Sequence, residues 1–294
     1  MIDTTAAQIL LFFLILMALA LLTLGLRSNV PLFPLLGRWL RWALFGLLFA
    51  ISLKYFEFSY RPDWVHFITG IALWFVLETS YNWIAIKALS SSDLPLFPQF
   101  FVNTDGDEWP ADQRYIELKE WLRSEDYTHI SSLKAELFEG TYLRACIYQS
   151  VDTFTRIQIL LMPTRNDGST ASYSIRTYAS NGDCVITDNL TLPYGGYYPT
   201  HWCMCRKPLV GSPGRLLMLH KKRLVNMNIQ AVGTKDSAIE EINEQQRILE
   251  KLNTDFGFLV PRHLREKEGK ITSNGCYRLW KEMWLIAYLG RSIQ

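Results

Sequence analysis

Residues 6–26 read AAQILLFFLILMALALLTLGL and contain no charged side chain. About 20 apolar residues allow one helix to cross the roughly 30 Å hydrocarbon core of a bilayer. A cleaved signal peptide would carry positive charge before this core and small residues after it. Here Asp3 precedes the apolar run and Arg27 follows it. We therefore interpret residues 6–26 as a retained membrane span, with a signal peptide as the less fitting alternative.

Two further apolar stretches follow, at residues 42–60 and 64–86. Lys54 and Glu57 lie near the end of the first of these, so their charges must reach the interface by snorkelling. Tryptophan prefers the headgroup layer. Four tryptophans lie near the ends of these stretches: Trp39, Trp42, Trp64 and Trp83. We predict three spans within a membrane region at residues 1–89. In the alternative, residues 42–60 form a re-entrant or surface helix and the chain crosses twice.

Positive charge in the short loops predicts the orientation of these spans. The loop after residues 6–26 contains three arginines and no acidic residue: Arg27, Arg38 and Arg41. The next loop carries two basic and two acidic residues: Lys54, Arg61, Glu57 and Asp63. Because Lys and Arg favour the cytoplasmic side, three spans place the N-terminus outside and the chain after Lys87 in the cytoplasm. Two spans would place that chain outside.

Cysteine usage bears on the same question. The sequence has five cysteines, all after residue 90: Cys146, Cys184, Cys203, Cys205 and Cys276. An odd number without regular spacing is unusual for an exported domain, where cysteines are normally paired in disulfides. Free thiols in a reducing compartment are the simpler interpretation. This agrees with a multi-pass protein of the inner (plasma) membrane whose C-terminal domain is cytoplasmic.

The charge balance argues against nucleic acid as a partner. Of the 30 Lys and Arg residues, six lie in residues 1–90, and of the 28 Asp and Glu residues, four do, so the rest of the chain carries equal numbers of both signs. Nucleic-acid binders normally have a basic excess. The dense basic run at residues 220–223 ends a predicted helix, where the helix dipole favours cations. We expect the partners to be the lipid bilayer and other membrane-protein subunits or a second copy of this chain.

A short linker at residues 90–98 separates the apolar region from the rest of the chain. It ends in Pro-Leu-Phe-Pro at residues 95–98, which repeats the tetrapeptide at residues 31–34. Proline cannot continue a helix interior, and a Leu-Phe pair can insert at a membrane interface. The repeat is therefore either chance or a pair of interfacial wedges or partner-docking turns.

Residues 99–294 predict a folded α+β domain. A helix is expected at residues 110–124, and a β-rich stretch follows up to residue 187. Residues 181–182 read Asn-Gly, a strong hairpin signal because both central residues of a type I′ turn need positive φ. A preceding turn is expected at residues 165–169. We predict an antiparallel β-meander of four to five strands with helices over one face. C-terminal helices are predicted at residues 213–227, 237–253 and 277–289.

The search for a catalytic or cofactor motif is negative. The sequence contains no phosphate-cradling glycine loop, dinucleotide fingerprint, metalloprotease helix or nucleophile elbow. Residues 103–108 begin like a calcium loop, but Glu108 occupies the glycine position and Arg114 the position of the bidentate glutamate. We interpret this segment as a solvated acidic loop. We expect no cofactor and no catalytic residue.

His201, Cys203 and Cys205 are the best candidates for metal ligands, because imidazole and thiolate are the ligand types that zinc prefers. Their spacing argues against a site. Alternate residues of an extended strand lie nearly 7 Å apart, too far for two thiolates on one zinc ion. The segment would have to turn sharply and recruit a further ligand such as Cys184. We interpret these cysteines as structural thiols and predict no metal.

Glu78 is the best candidate for a functional polar group within a span. Leaving a charged side chain in lipid costs about 2.5 kcal/mol or more, so an intramembrane acid is expected to have a partner. A single acid without a basic partner makes a poor transport pathway. We therefore favour a helix-packing or partner contact for Glu78 over transport.

The last predicted helix, residues 277–289, is unusually aromatic and contains Trp280 and Trp284. Its apolar surface exceeds what one core-facing stripe needs. Three basic residues flank it: Arg278, Lys281 and Arg291. This pattern suits a helix that lies in the headgroup layer. Burial of the same helix in the domain core is the alternative.

These observations favour a function class and leave the chemistry open. We expect a non-catalytic scaffolding, assembly or accessory subunit of a membrane complex that binds partners through its spans and its folded domain. A membrane-embedded sensor or effector, whose cytoplasmic domain detects a ligand or partner, is the alternative. A membrane-bound enzyme comes third.

We predict that an impermeant thiol reagent leaves the cysteines after residue 90 unlabelled in intact cells, because the domain that carries them lies in the cytoplasm. Permeabilised cells provide the control, since labelling should then appear. Labelling in intact cells would place the domain outside and contradict the three-span topology.

Overall fold

The computed structural model describes residues 9, 12–17, 19–20, 23, 32–106, 109–163, 169–234 and 237–293. Three predictions are affected by these limits. Most of the predicted first span at residues 6–26 lies outside the described residues. The same holds for most of the predicted turn at residues 165–169 and for Glu108 of the acidic loop.

Two long helices form an antiparallel hairpin: α1 (Leu32–Tyr55) and α2 (Asp63–Ser91). Helix α1 begins ten residues before the predicted stretch at 42–60, because residues 32–41 of the predicted loop, which contain Arg38 and Arg41, are themselves helical. Small residues at the crossing point allow close approach of the two helices, a common arrangement in membranes. A Cβ atom added to Gly70 would lie 2.9 Å from the Cα atom of Gly46.

Within the described part of the chain, α1 alone is long and apolar enough to cross a membrane, judged by length and composition. Helix α2 is longer, at 29 residues, but His66 and Glu78 lower its hydropathy. The count of three spans is therefore not confirmed. The stretches predicted at residues 42–60 and 64–86 fall largely on the two helices of this hairpin.

The folded domain contains one mixed, mainly antiparallel sheet, which confirms the α+β class. Its strands are β1 (Phe101–Val102), β2 (Tyr127–Phe138), β3 (Thr141–Ser150), β4 (Thr155–Pro163), β5 (Ser169–Ala179), β6 (Cys184–Asp188), β7 (Trp202–Arg206) and β8 (Ala231–Val232). Strands β1 to β7 are adjacent in chain order, and β8 pairs with β5. All pairs are antiparallel except β6 with β7.

The sheet is larger than the predicted meander of four to five strands. The main reason is β7, which contains the candidate metal segment and pairs in parallel with β6. The predicted hairpin is present between β5 and β6, where Tyr178 lies opposite Cys184. Its turn is not type I′, because Gly182 has a positive φ of 87° whereas Asn181 does not.

Helices cover both faces of the sheet, where one covered face was expected. Helices α3 (Gln113–Ser124) and α4 (Pro213–Asn226) pack on one face, against alternate β4 residues such as Ile157 and Ile159. Helix α5 (Ala238–Asp255) packs on the other face, where Ile242 contacts Leu133. On each face, apolar side chains at alternate strand positions pack against the apolar stripe of the covering helix or helices and form a core.

The chain then returns to the hairpin. After a short 3₁₀ turn (Arg262–Leu264) and helix α6 (Arg265–Glu268), helix α7 (Ser273–Trp284) continues as a π-helical turn (Leu285–Leu289). We call α7 and this π-helical turn together the terminal helix. A third apolar cluster joins its start to the end of α2, with Ile86, Ile271 and Leu279 as buried members.

The two Pro-Leu-Phe-Pro copies have different surroundings. Residues 32–34 form the first turn of α1, where proline is tolerated. Leu96 and Phe97 pack against the third apolar cluster. The linker is also anchored, because Ile271 donates its backbone N–H to the Ser90 hydroxyl at 3.0 Å. The different conformations favour chance as the origin of the repeat.

We predict that Gly70→Ala weakens the hairpin by about 1–3 kcal/mol, because the added methyl group is forced against the backbone of α1. The same change at Gly37, where nothing lies within 4 Å of an added Cβ, is the matched control. It should be neutral or stabilising by up to about 1 kcal/mol through helix propensity. Chemical denaturation in detergent micelles measures both. Equal effects of the two substitutions would contradict the close crossing.

Candidate functional site

The contact between the hairpin and the terminal helix is the candidate functional site, and we call it the junction. Its centre is the phenol of Tyr288, which is 6% exposed. Its hydroxyl donates to Glu78 Oε2 and accepts from Trp42 Nε1 at 2.8 Å. The indole Nε1 of Trp74 donates to the same Glu78 oxygen at 2.9 Å. One side chain of the folded domain thus connects α1 with α2.

The phenol keeps its proton at neutral pH and can act as the donor. Burial, and to a smaller extent the hydrogen bond with Glu78, raise the pKa of Tyr288 to about 12. The carboxylate of Glu78 is an acceptor on both oxygens when ionised. The donors of Tyr288 and Trp74 therefore offset part of the cost of placing that carboxylate in an apolar hairpin.

The end of the terminal helix contributes backbone acceptors to the junction. The last four carbonyl groups of a helix have no partner within the helix. Two of them accept from α1: Arg38 Nη1 donates to Ala287 O at 3.0 Å, and Trp39 Nε1 donates to Tyr288 O at 3.0 Å. The positive charge of Arg38 is also favourable beside the negative end of the helix dipole.

Aromatic rings fill the space between these hydrogen bonds. Trp284 stacks on Tyr288 with centroids 4.6 Å apart and an interplanar angle of 20°. The ring of Trp284 also meets Trp42 edge-on at 5.7 Å and Phe75 at 5.3 Å. Such pairs contribute roughly 0.5–1.5 kcal/mol each beyond their buried area. The terminal helix is therefore attached to the hairpin by packing as well as by hydrogen bonds.

A cavity of about 530 Å³ opens beside the junction. Its polar wall consists of Arg38, Arg41, Glu78 and Asn82. Its other walls come from α2, from the loop after β6 and from the terminal helix: Trp74, Leu77, Tyr81, Thr191, Pro193, Met283, Ile286 and Ala287. The cavity thus combines two guanidinium groups with a largely apolar lining.

The structure brings several predicted interface residues together at the junction. Glu78, Trp39, Trp42 and Trp284 all belong to it. Trp83 and Trp280 lie nearby, in the third apolar cluster. Trp64 lies at the opposite end of the hairpin and is 66% exposed. The sequence indicated that Glu78 needs a partner. No pattern near Glu78 identifies Tyr288 as that partner, because the two residues are 210 positions apart.

The candidate metal residues lie on or beside β7. Cys203 and Cys205 are half-buried free thiols, and His201 is exposed. Cys184, the thiol that such a site would have to recruit, is buried, and burial raises its pKa to about 12. Among the residues that the structure describes, no group of three His, Cys, Asp or Glu side chains is placed to hold a metal ion. In the acidic loop, Asp105 pairs with Lys134.

The basic run at residues 220–223 does not form a continuous exposed patch. His220 is buried between the hydroxyls of Thr177 and Thr187, at 3.0 and 2.9 Å. Arg223 donates to the backbone oxygens of Ile186 and Cys203. The two lysines between them remain on the exposed surface of α4.

Sequence reasoning missed two buried ion clusters. In the first, Glu241 of α5 accepts from Arg156 and Arg176 on the sheet. In the second, Arg206 at the end of β7 pairs with Asp188 and Glu282. The charged partners are far apart in the sequence, so no local pattern indicates them.

Glu282 connects the sheet to the terminal helix. It is 2% exposed and accepts the backbone N–H groups of Tyr194 and Gly195 in addition to Arg206. Burial raises the pKa of the neighbouring Asp188 in spite of the attraction of Arg206. A buried pair that loses one member typically costs 3–5 kcal/mol. The terminal helix is therefore fixed on its other side to β6 and β7.

A second concave surface lies on the α5 face of the sheet. This sheet cleft has a volume of about 290 Å³ and is bordered by the linker and α5. Polar side chains converge in it: Gln158, Ser174, Arg176, Asp188, Tyr198, Arg206 and Gln245. Arg206 and Asp188 of the second ion cluster thus form part of the cleft wall.

Comparison of the chain with protein families, with curated proteins and with solved structures finds no match.

We predict that Glu78→Leu weakens the attachment of the terminal helix and lowers the free energy of unfolding by about 1–3 kcal/mol, because the buried donors of Tyr288 and Trp74 lose their shared acceptor. Glu78→Gln is the matched control and should have a small effect, since the amide oxygen still accepts. Protease protection of residues 285–293 and thermal unfolding in detergent measure the two variants. If Glu78→Gln abolishes the biological activity of the protein while the terminal helix stays attached to the hairpin, ion or proton handling by Glu78 becomes the better interpretation.

Proposed function

We propose that the protein is a non-catalytic, membrane-anchored accessory or assembly subunit of a membrane complex. In this proposal the chain lies in the inner (plasma) membrane with its N-terminus outside and spans near residues 6–26, 42–60 and 64–86. The domain at residues 99–294 is cytoplasmic. It binds the bilayer and other membrane-protein subunits or a second copy of the chain.

The junction carries this proposal. The folded domain is attached to the hairpin through Tyr288, Trp284 and the carbonyl groups at the end of the terminal helix. Attachment on both sides of that helix gives the domain a fixed orientation relative to the hairpin. A fixed orientation suits a subunit that aligns partners at a membrane surface, and a flexible tether would not provide it.

The distribution of charge supports a cytoplasmic domain. Arg38 and Arg41 lie at the end of the hairpin that contacts the folded domain. At the other end Lys54 pairs with Asp63 at 3.3 Å, so that end carries little net positive charge. Because α1 and α2 are antiparallel, their domain-side ends lie together. The positive-inside tendency then favours the cytoplasm for both the arginines and the domain.

The outer surface of the hairpin supports partners in or at the membrane. Large apolar side chains are exposed along both helices: Leu36, Leu48, Ile68, Leu73, Val76 and Leu77. Contiguous exposed apolar surface of this kind is covered by lipid or by another protein. The tip of the hairpin is aromatic, with Phe58 75% and Tyr60 97% exposed. Aromatic side chains are common both in headgroup layers and at protein interfaces.

The sheet cleft favours a sensor or effector as the second candidate function. Arg206 lines the cleft and pairs with Glu282 of the terminal helix, which in turn contacts the hairpin through Tyr288. A ligand that displaced this ion pair could shift the terminal helix. The cleft would then be the detecting site and the hairpin the responding element.

A photo-crosslinking experiment tests the proposed function. A photoreactive amino acid replaces Val76 on the exposed face of α2 in the full chain. The matched control carries it at Ile116, which is 52% exposed on α3 of the folded domain. We expect the Val76 position to crosslink a membrane protein that also purifies with the chain in mild detergent at a constant ratio. A lone homo-oligomer with no other subunit would favour the sensor or effector.

A further inference from the structure

We propose that the cavity beside the junction binds the phosphate of an anionic phospholipid headgroup from the cytoplasmic leaflet. Arg38 and Arg41 would hold the phosphate, and the acyl chains would lie against the apolar walls. This inference rests on the membrane placement in the proposed function. It goes beyond that function by assigning a ligand class and a binding site.

The charge of the cavity favours an anion. Arg38 and Arg41 lie one turn apart on the same face of α1, so their guanidinium groups can act together. Glu78 is the single acidic residue of the wall, and its oxygen already accepts from Tyr288 and Trp74. The wall therefore keeps a net positive charge that a phosphate would neutralise.

Both arginines have donors available. A guanidinium group carries five N–H donors in a planar fork that matches a phosphate. Arg38 uses one nitrogen for Ala287 O. Arg41 is exposed and forms no ion pair within the described ranges. Asn82 lies one turn after Glu78 on the same face of α2 and adds an amide to the wall.

The depth of the site matches the headgroup layer. Thirteen residues separate Arg41 from Lys54, which corresponds to about 20 Å of helix rise. Because the hydrocarbon core is about 30 Å thick, about 10 Å more than this rise, Arg41 and Lys54 each start about 5 Å inside an edge and reach the headgroup layer by snorkelling. Trp39, Trp42 and Tyr81 surround the arginine end, and such rings prefer the headgroup level. A phospholipid phosphate is the anion present at this depth.

The lining of the cavity favours a lipid over a free phosphate ion. Apolar side chains from two helices line the cavity: Trp74 and Leu77 of α2, and Met283 and Ile286 of the terminal helix. A small hydrated ion would leave these apolar surfaces uncovered, whereas an acyl chain covers them. Basic pockets between helices on the cytoplasmic side are suited to anionic headgroups. Phosphatidylglycerol has this combination of charge and chains.

Native mass spectrometry of the full chain in mild detergent tests the proposal. The probes are short-chain phosphatidylglycerol, phosphatidylcholine with the same chains, and sodium phosphate. We expect phosphatidylglycerol to bind at least tenfold more tightly than phosphatidylcholine. Arg41→Gln should weaken phosphatidylglycerol binding about fivefold, the effect of one basic charge at a membrane surface. Arg61→Gln is the matched control, because Arg61 is exposed at the opposite end of the hairpin. It should leave the affinity for phosphatidylglycerol unchanged.

A second variant keeps both arginines and the helix contacts. Asn82→Asp adds a negative charge to the cavity wall and should weaken phosphatidylglycerol binding by a similar factor. Equal binding of the two lipids would overturn the proposal, as would an equal effect of Arg61→Gln. Displacement of phosphatidylglycerol by an equal concentration of sodium phosphate would also overturn it, since the ligand would then be a soluble phosphate.

Alkaline carbonate extraction of membranes that contain the unaltered chain or its variants distinguishes failure of the lipid site from failure of the proposed function. If the chain resists extraction but does not distinguish the lipids, the lipid site is wrong and the membrane placement stands. If the unaltered chain is extracted, the membrane placement itself is wrong and the lipid site falls with it.

Discussion

The hydrogen bond from Tyr288 to Glu78 determines how the folded domain stands on the hairpin. It supplies a second donor, besides the indole of Trp74, to a carboxylate that lies in an apolar helix. It also places the terminal helix where Trp284 can pack and where Arg38 can reach a free carbonyl group. On its other side the same helix is fixed to the sheet through Glu282. The terminal helix therefore links the sheet to the hairpin, beside the contact of Ile271 with Ser90 at the end of α2.

Local sequence patterns predicted those helices, strands and turns whose formation depends on residues close together in the sequence. The apolar runs predicted the hairpin helices, and the β-rich stretch up to residue 187, with its turn signals, predicted an antiparallel sheet. The Asn-Gly pair at residues 181–182 predicted a turn, although its geometry differs from type I′. Strand β7 was missed because a parallel partner strand is not adjacent through a short turn. Its pairing is set by the loop that precedes it.

The candidate site was predictable only in part, for a similar reason. The cost of an acid among apolar residues marked Glu78, but the partner lies 210 residues later in the sequence. Two alternatives were open for the aromatic terminal helix, the headgroup layer and the domain core; the contacts described for it are with protein, and the headgroup placement stays a prediction. Leu279 and Cys276 are buried in an apolar cluster of the domain, while Trp284 faces the hairpin. Charged residues are normally exposed, so nothing in the sequence distinguishes the few that are buried in the two ion clusters.

The separation of Glu78 from Tyr288 has a consequence for biosynthesis. At about 5–20 residues per second, a ribosome needs roughly 10–40 seconds to add the 210 residues between them. During that interval the hairpin has already emerged, and its carboxylate has no phenol to bind. Until then Glu78 has the indole of Trp74 as a donor within the hairpin and lacks its second donor. The junction can therefore form only after Tyr288 has been added, and a chain truncated before its terminal helix would lack this contact.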